Sequence, residues 1–482
     1  MRIPRAVVPV AALLALTISA CSSAPAPAPA PAPAPPAPAP GPDPGLPGRL
    51  VGAVTGDGVF RHLQELQRIA DANAGNRALG TPGYDASVDY VAGVLRNAGY
   101  TVDTPEFAAR RFSVQDQKLT VDGAEVPAQA LGYSPATAAG GLTAPLAVAA
   151  GEGCDAAALA GVPAGSVVLV RRGTCTFAQK STVAATAGAA AVLVVNNADG
   201  PLSDGTLGVG ATGTVPTAGL ARADGDPLFA RAGAPVSLVL NTTVEEKRSR
   251  NVIAQTGTGR PDQVVFAGAH LDSVPEGPGI NDNGSGTATL LETAVQLGSA
   301  PPVANAVRFA FWGAEEEGLV GSTAYVRGLS DADRGKIALY LNLDMVGSPN
   351  SGYYVYDGDD SDKEGAGPGP AGSATLERVV VESLATAGVP AAGTDFDGRS
   401  DYGPFIEAGI ASGGLFTGAS EPMSAEDAQR WGGDANQPHD PCYHQACDRL
   451  DTIDRVALDR NVDAFANTMA TFALSTEGLK AG

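Results

Sequence analysis

The apolar positions of the chain fall into two rhythms. From Asp57 to Ala74 they recur at helical spacing, as Phe60, Leu63, Leu66 and Ile69, and Tyr84 to Ala98 repeats the pattern with Val88, Val91 and Leu95. The stretch GNRALGTPG between them reads as a turn, and residues 100–121 read as extended segments. After residue 245 short apolar runs alternate with helical patterns: NVIAQTG, QVVFAGAH, a helix over about 284–298, AVRFAFWG, a helix over about 318–328, IALYLNLD, YYVYDG, a helix over about 373–387, and ASGGLFTG. Runs that are apolar on both faces predict a mainly parallel sheet flanked by helices, so the expected class is α/β. Residues 126–243 break the pattern. They hold no histidine, are rich in Ala, Gly and Val, and offer short strands such as SVVLV and AVLVV around one helix starting near Phe177. A small β-rich body inserted into one α/β domain is expected, with residues 49–125 and 244–482 on either side of it.

Open α/β sheets carry their chemistry beyond the carboxyl ends of the strands. QVVFAGAH ends in His270, and Asp282 follows in a Gly- and Asn-rich turn ahead of the helical stretch TATLLETAVQLG. AVRFAFWG runs into Glu315, Glu316 and Glu317, neighbours that repel one another unless a cation or solvent relieves them. IALYLNLD leaves Asp344 at the end of a buried strand, where an unpaired carboxylate is expensive. In PHDPCYHQACDRL, a bridge between Cys442 and Cys447 would hold Tyr443 and His444 in a rigid loop, although the same cysteines could bind zinc with His444. His439 lies just outside that loop as a competing ligand, and His62, in the amino-terminal helix, is expected to be structural. Mixed nitrogen and oxygen donors suit zinc, and a carboxylate shared by two cations about 3.5–4 Å apart is the usual hydrolytic arrangement.

Composition narrows the setting. The formal charge of −21 on 482 residues repels nucleic acid and anionic lipid headgroups, so no nucleic-acid partner is expected. Residues 1–20 pair Arg2 and Arg5 with an apolar run too short to span a bilayer, and Ile18, Ser19, Ala20 and Cys21 resemble a bacterial lipobox. That resemblance implies cleavage before Cys21, acylation of Cys21, and an exported body held on the outer face of the cell membrane by its lipid alone. Loss of Arg2 and Arg5 with the leader takes the charge to −23. Residues 21–48 form an Ala/Pro-rich linker that favours extended polyproline II and reaches about 80 Å. With Cys21 acylated, the positions of the remaining cysteines suggest two local disulfides, Cys154 with Cys175 and Cys442 with Cys447.

Two resemblances join these readings. VPAGSVVLVRRGTCTFAQKSTVAATAGAAAVLVVNN with TVPTAGL resembles the protease-associated (PA) domain inserted in secreted and vacuolar peptidases, a non-catalytic cover over the active site. Arg171 and Arg172 within it read as a solvated turn. HLDSVPEGPGINDNGSG, FWGAEEEGLVGS, YLNLDMVGSPN, DGRSDYGPF, GGLFTGA and CYHQACD together resemble the secreted di-zinc aminopeptidases of the bacterial leucine aminopeptidase and aminopeptidase Y type. This second resemblance implies the zinc exopeptidase fold and two zinc ions per chain, one on His270 and Asp344, the other on Glu316 and His444, with Asp282 bridging. It implies Glu315 as general base and acid for a metal-activated water, Tyr443 as a polariser of the carbonyl, and Arg399 as a substrate-binding residue. The preceding WGA aligns Glu315 and Glu316 with the family's pair and leaves Glu317 at the start of the helix. Nothing transfers to Tyr402, where the family often has histidine. The expected substrates are peptides with a free amino terminus and an apolar, leucine-like first residue, accommodated beside GGLFTGA; a monomer is expected. The competing readings are a glutaminyl cyclase or carboxypeptidase on the same scaffold, or a non-catalytic binding protein.

Overall fold

Eight strands build the sheet that carries the candidate site, numbered here along the chain: β1 (Val102–Asp103), β2 (Val252–Gln255), β3 (Arg260–His270), β4 (Asn305–Trp312), β5 (Ile337–Leu343), β6 (Tyr354–Tyr356), β7 (Ala392–Thr394) and β8 (Ser412–Phe416). The computed structural model describes residues 41–202, 205–363 and 365–479. The spatial order is β1-β2-β4-β3-β5-β8-β6-β7. The central four, β4, β3, β5 and β8, pair in parallel, while β1, β2 and β6 add antiparallel pairs toward the edges. From Val264 to His270 every residue of β3 is buried, which explains an apolar run without alternation.

Both faces of the sheet are covered. Val265 and Ala267 pack against Leu63 and Leu66 of helix Gly56–Ala72, Leu290 and Leu291 of helix Gly286–Leu297, and Phe465 of helix Arg455–Leu474. Phe266 points the other way into an aromatic cluster with Trp312, Tyr340 and Phe405, in which the Tyr340 and Phe405 rings stack at 3.7 Å. Thr55 caps the first of these helices through Gly58 N, and Asp454 caps the last through Val456 N and Ala457 N.

The insert leaves and re-enters through neighbouring strands. Val102 pairs with Ala254 and Asp103 with Ile253, so exit and return lie side by side. Between them Glu106–Val121 and Pro235–Arg250 form a long antiparallel ribbon, the second of these strands running unbroken past residue 243. The ribbon continues into a second eight-stranded sheet with its own apolar core, including Val167, Leu169, Leu193 and Leu238. The Cys154–Cys175 disulfide is formed in this body.

Two boundaries differ from expectation. The linker expected through residue 48 gives way to a helix at Leu46, because Pro47 stands in the first helical turn, where its missing N–H has no partner to lose. The helix expected from residue 318 begins at Val320, because Gly318 and Leu319 take left-handed backbone with φ of 101° and 58°. Asp43 N–H donates to the Pro302 carbonyl at 2.9 Å, in the loop leading into the amino end of β4. The leader and Cys21 lie outside the described residues. Among the described residues no helix is long and apolar enough to cross a membrane.

Gly414, with φ of 154°, lets β8 lie against β5: a β-carbon there would sit 2.0 Å from the Asn342 carbonyl oxygen. Gly414→Ala is therefore expected to lower stability by about 3 kcal/mol, read as a shifted urea midpoint, whereas Ala411→Gly just outside the strand should cost about 1 kcal/mol or less.

Candidate active site

Three parallel strands end at one place. His270 closes β3, and its Nδ1 lies 3.2 Å from the Asp272 carbonyl oxygen, which directs Nε2 into the site. That Nε2 is 3.2 Å from Asp282 Oδ1, 3.4 Å from Asp344 Oδ1 beyond β5, and 4.0 Å from Glu315 Oε2 beyond β4. On the other side, His444 Nε2 is 3.2 Å from Asp282 Oδ2 and 3.0 Å from Glu316 Oε2. Asp282 thus turns one oxygen to each imidazole. Two ligand-like groups result, His270–Asp282–Asp344 and Asp282–Glu316–His444, with Asp282 common to both. The Cys442–Cys447 disulfide closes the loop that bears Tyr443 and His444, whose rings stack at 3.8 Å. With those sulfurs bonded to each other, zinc binding by the two cysteines is set aside.

The supporting groups were not singled out in the sequence. Asp272 accepts the backbone N–H groups of Glu315 and Glu316 at 3.1 and 3.3 Å. Asp448 accepts those of Asn281 and Asp282 at 2.7 and 3.0 Å. Arg77, fully buried, donates to the carbonyls of Leu271, Pro278 and Gly279 and so ties the end of β3 to the loop before Asp282. A one-way chain of hydrogen bonds reaches Asp344: Trp312 Nε1 donates to the Tyr340 hydroxyl, Tyr340 to Asn342 Oδ1, Asn342 Nδ2 to Ser400 Oγ, and Ser400 to Asp344 Oδ2. Gly268 leaves room for it, since a β-carbon there would sit 2.3 Å from the Tyr340 oxygen. HLD and SDYGPF were legible as motifs, but Asp272 and Ser400 act only through neighbours that spacing does not reveal.

Electrostatics set the demand for a cation. Burial pushes Glu315 well above the usual carboxylate range, opposed by His270 and reinforced by Asp401 and Glu316, and burial raises Glu316 as well. Burial disfavours the charged form of both histidines, yet the carboxylates win: Asp344 and Glu315 hold His270 well above its ordinary value, and Glu316 and Asp282 do the same for His444. Asp282 is drawn low despite burial by hydrogen bonds from the two imidazoles. Glu316 Oε1 and Asp344 Oδ1 are buried without a hydrogen-bond partner. Orphaned carboxylate oxygens beside two imidazoles fit a zinc donor set, and a bound cation would take over the stabilisation that the protonated histidines otherwise supply.

These groups line a cavity of about 340 Å³. Met345, Tyr356, Phe416 and Ala419 give it an apolar wall, Asp395, Asp397 and Glu421 an acidic one, and Arg399 stands exposed at the mouth with Nη2 3.5 Å from the Tyr443 hydroxyl. The other histidines lie elsewhere. His439 contacts the Asn350 carbonyl and Tyr354 hydroxyl at 2.7 and 3.2 Å, and His62 contacts Tyr90 and Glu292 at 2.6 and 3.1 Å. Arg171 pairs with Asp226 on the exposed surface of the insert. Glu317, expected at a helix start, sits in the loop before it and bonds to Tyr133.

A profile of peptidase family M28 matches residues 251–469, and one of the PA domain matches residues 142–228. A probable lipoprotein aminopeptidase LpqL of Mycobacterium tuberculosis is 51% identical over 433 residues, covering 88% of this chain and 86% of its own. The chain belongs to peptidase family M28. A probable leucine aminopeptidase 2 of Aspergillus fumigatus is 43% identical to this M28 peptidase over 84% of the chain and 80% of its own. Among solved structures, BSAP, a zinc aminopeptidase from Bacillus subtilis, superposes with a TM-score of 0.65 at 28% identity, covering 88% of this chain and 97% of that one. The M28 chain is an aminopeptidase, a hydrolase of peptide bonds, with a PA domain set into its α/β body.

Asp448→Ala would free the backbone on which Asp282 rides. Affinity for zinc, measured by chelator competition, is expected to fall about 10- to 100-fold; an unchanged affinity would show that Asp282 is held by other means.

Proposed function

We propose that this zinc-dependent aminopeptidase holds two zinc ions, one by His270 and Asp344 and one by Glu316 and His444, with Asp282 between them, and removes apolar, leucine-like residues from peptides. The observation that carries the reading is Asp282, divided between two imidazoles beside orphaned oxygens of Glu316 and Asp344. Zinc bound there supplies Lewis acidity, polarising the scissile carbonyl and letting water lose a proton near neutral pH.

The chain's own residues do the rest. Glu315, buried at the cavity wall, takes the proton of the attacking water and returns it to the leaving amine; burial, by raising its proton affinity, suits it to hold that proton in between. Arg399 donates toward the Tyr443 oxygen, which strengthens the phenol as a donor to the substrate carbonyl. Asp395, Asp397 and Glu421 favour a substrate ammonium, and Met345, Tyr356, Phe416 and Ala419 favour an apolar first side chain. A carboxypeptidase would need cationic groups for a carboxylate, and among the described residues Arg399 is the only lysine or arginine lining the cavity. Two ligand groups sharing Asp282 also speak against a one-metal cyclase.

The lipobox-like residues before Cys21, together with a relative named as a lipoprotein, support export and anchoring by lipid on the outer face of the membrane. The insert over residues 126–243 restricts access to the site, and the enzyme acts as a monomer.

Glu315→Ala is expected to keep two zinc ions per chain while kcat on leucyl anilide falls roughly 10²- to 10⁴-fold, with an amino-blocked anilide uncleaved by either form. Retained turnover would remove Glu315 from the role. Cys21→Ala should move the protein from the membrane fraction to the exported soluble fraction; continued sedimentation with membranes would remove the anchor.

A further inference from the structure

The three consecutive glutamates beyond β4 part company. Glu315 and Glu316 line the cavity, whereas Glu317 accepts a hydrogen bond from the Tyr133 hydroxyl at 2.5 Å. Tyr133 belongs to the inserted body and is firmly seated there. Its hydroxyl is also 2.9 Å from the Arg110 carbonyl, its ring packs on Phe112 with centroids 5.7 Å apart, and its neighbour Ser134 is pinned by Thr217 N–H and the Thr242 hydroxyl, each at 2.8 Å.

The loop that Tyr133 reaches needs holding. Ala314 and Leu319, at φ of 57° and 58°, place residues with β-carbons in left-handed backbone at both of its ends, a conformation that persists only where the surroundings impose it. Asp272 restrains the loop from the sheet through the N–H groups of Glu315 and Glu316, and Asn251 clasps its base by accepting from Gly313 N and donating to the Gly321 carbonyl. Tyr133 restrains it from the insert.

We propose that Tyr133 is a positioning residue for the aminopeptidase reaction: by holding Glu317 it fixes the loop that presents Glu315 and Glu316, so the insert sets catalytic geometry as well as access. This rests on the roles assigned above to Glu315 and Glu316. A cover that only restricts access acts on large substrates. A misplaced loop slows turnover of the smallest one, because an error of about 1 Å in a reacting group can reduce rate by about 10²-fold.

The test uses the full chain with Tyr133→Phe, Glu317→Ala, Glu317→Gln, the Tyr133→Phe/Glu317→Ala double variant and Glu315→Ala. Zinc content, Tm, and kcat and KM on leucyl anilide are measured for each. Tyr133→Phe and Glu317→Ala are expected to lower kcat about tenfold with KM within about twofold, zinc content and Tm staying near those of the parent. The double variant should be no slower than Glu317→Ala alone, and Glu317→Gln, which still accepts from Tyr133, should keep most of the parent kcat. A parental kcat in Tyr133→Phe, losses that multiply in the double variant, or losses that track zinc content or Tm would each overturn the proposal. With Glu315→Ala inactive, those outcomes fall on Tyr133 alone. An active Glu315→Ala would overturn the catalytic assignment and this inference with it.

Discussion

Carboxylates gathered in a space that water hardly reaches repel one another, and this repulsion is the constraint around which the molecule is built. Asp282, Glu315, Glu316 and Asp344 converge at the carboxyl ends of β3, β4 and β5, and two imidazoles are drawn toward protonation to balance them. Apolar packing alone would expel such a cluster. It persists because each carboxylate is held by something behind it: Asp344 by the chain running from Trp312 through Ser400, Asp282 by the N–H groups that end on Asp448, and the two glutamates by Asp272. A divalent cation held there would turn this unfavourable assembly into a binding site, since the charges that repel one another are the ones that would attract it.

The sheet makes the cluster possible at modest conformational expense. Parallel strands deliver their carboxyl ends to one edge, and strands buried on both faces leave their terminal side chains little freedom. The insert meets the peptidase body in two ways. Its exit and return through paired strands leave the order of the main sheet intact, and the Tyr133–Glu317 bond touches the loop nearest the chemistry. A domain that could have been a separate bead is thereby tied to the loop that bears Glu315 and Glu316.

Much of this was legible in the chain, and the exceptions share a cause. His270 and Asp344 stand out because polar residues end apolar runs, Asp282 because it lies in a Gly- and Asn-rich turn ahead of a helical stretch, and the motif in which His444 lies between two cysteines announces a constrained loop. The alternation of runs and helical patterns gave the layered sheet as well. Asp272, Asp448, Arg77 and Ser400 stayed hidden because their partners are backbone groups or side chains brought close only by folding; Asp448 meets Asn281 across more than 160 positions. Helix Arg455–Leu474 was missed for another reason. Its polar stripe, Arg455, Asp459, Asp463, Asn467 and Thr471, is narrow, and the buried positions around it include the small residues Ala457, Ala464, Ala466, Ala470 and Ala473, so the apolar period is weak. Glu317 was expected at the helix start and its bond to Tyr133 stayed hidden, because a run of three like residues conceals which one turns away.

The bond from Asp43 to the Pro302 carbonyl has a directional consequence. Pro302 precedes β4, whereas the reacting groups follow the far ends of β3, β4 and β5, so the polypeptide enters the body on the side opposite its mouth.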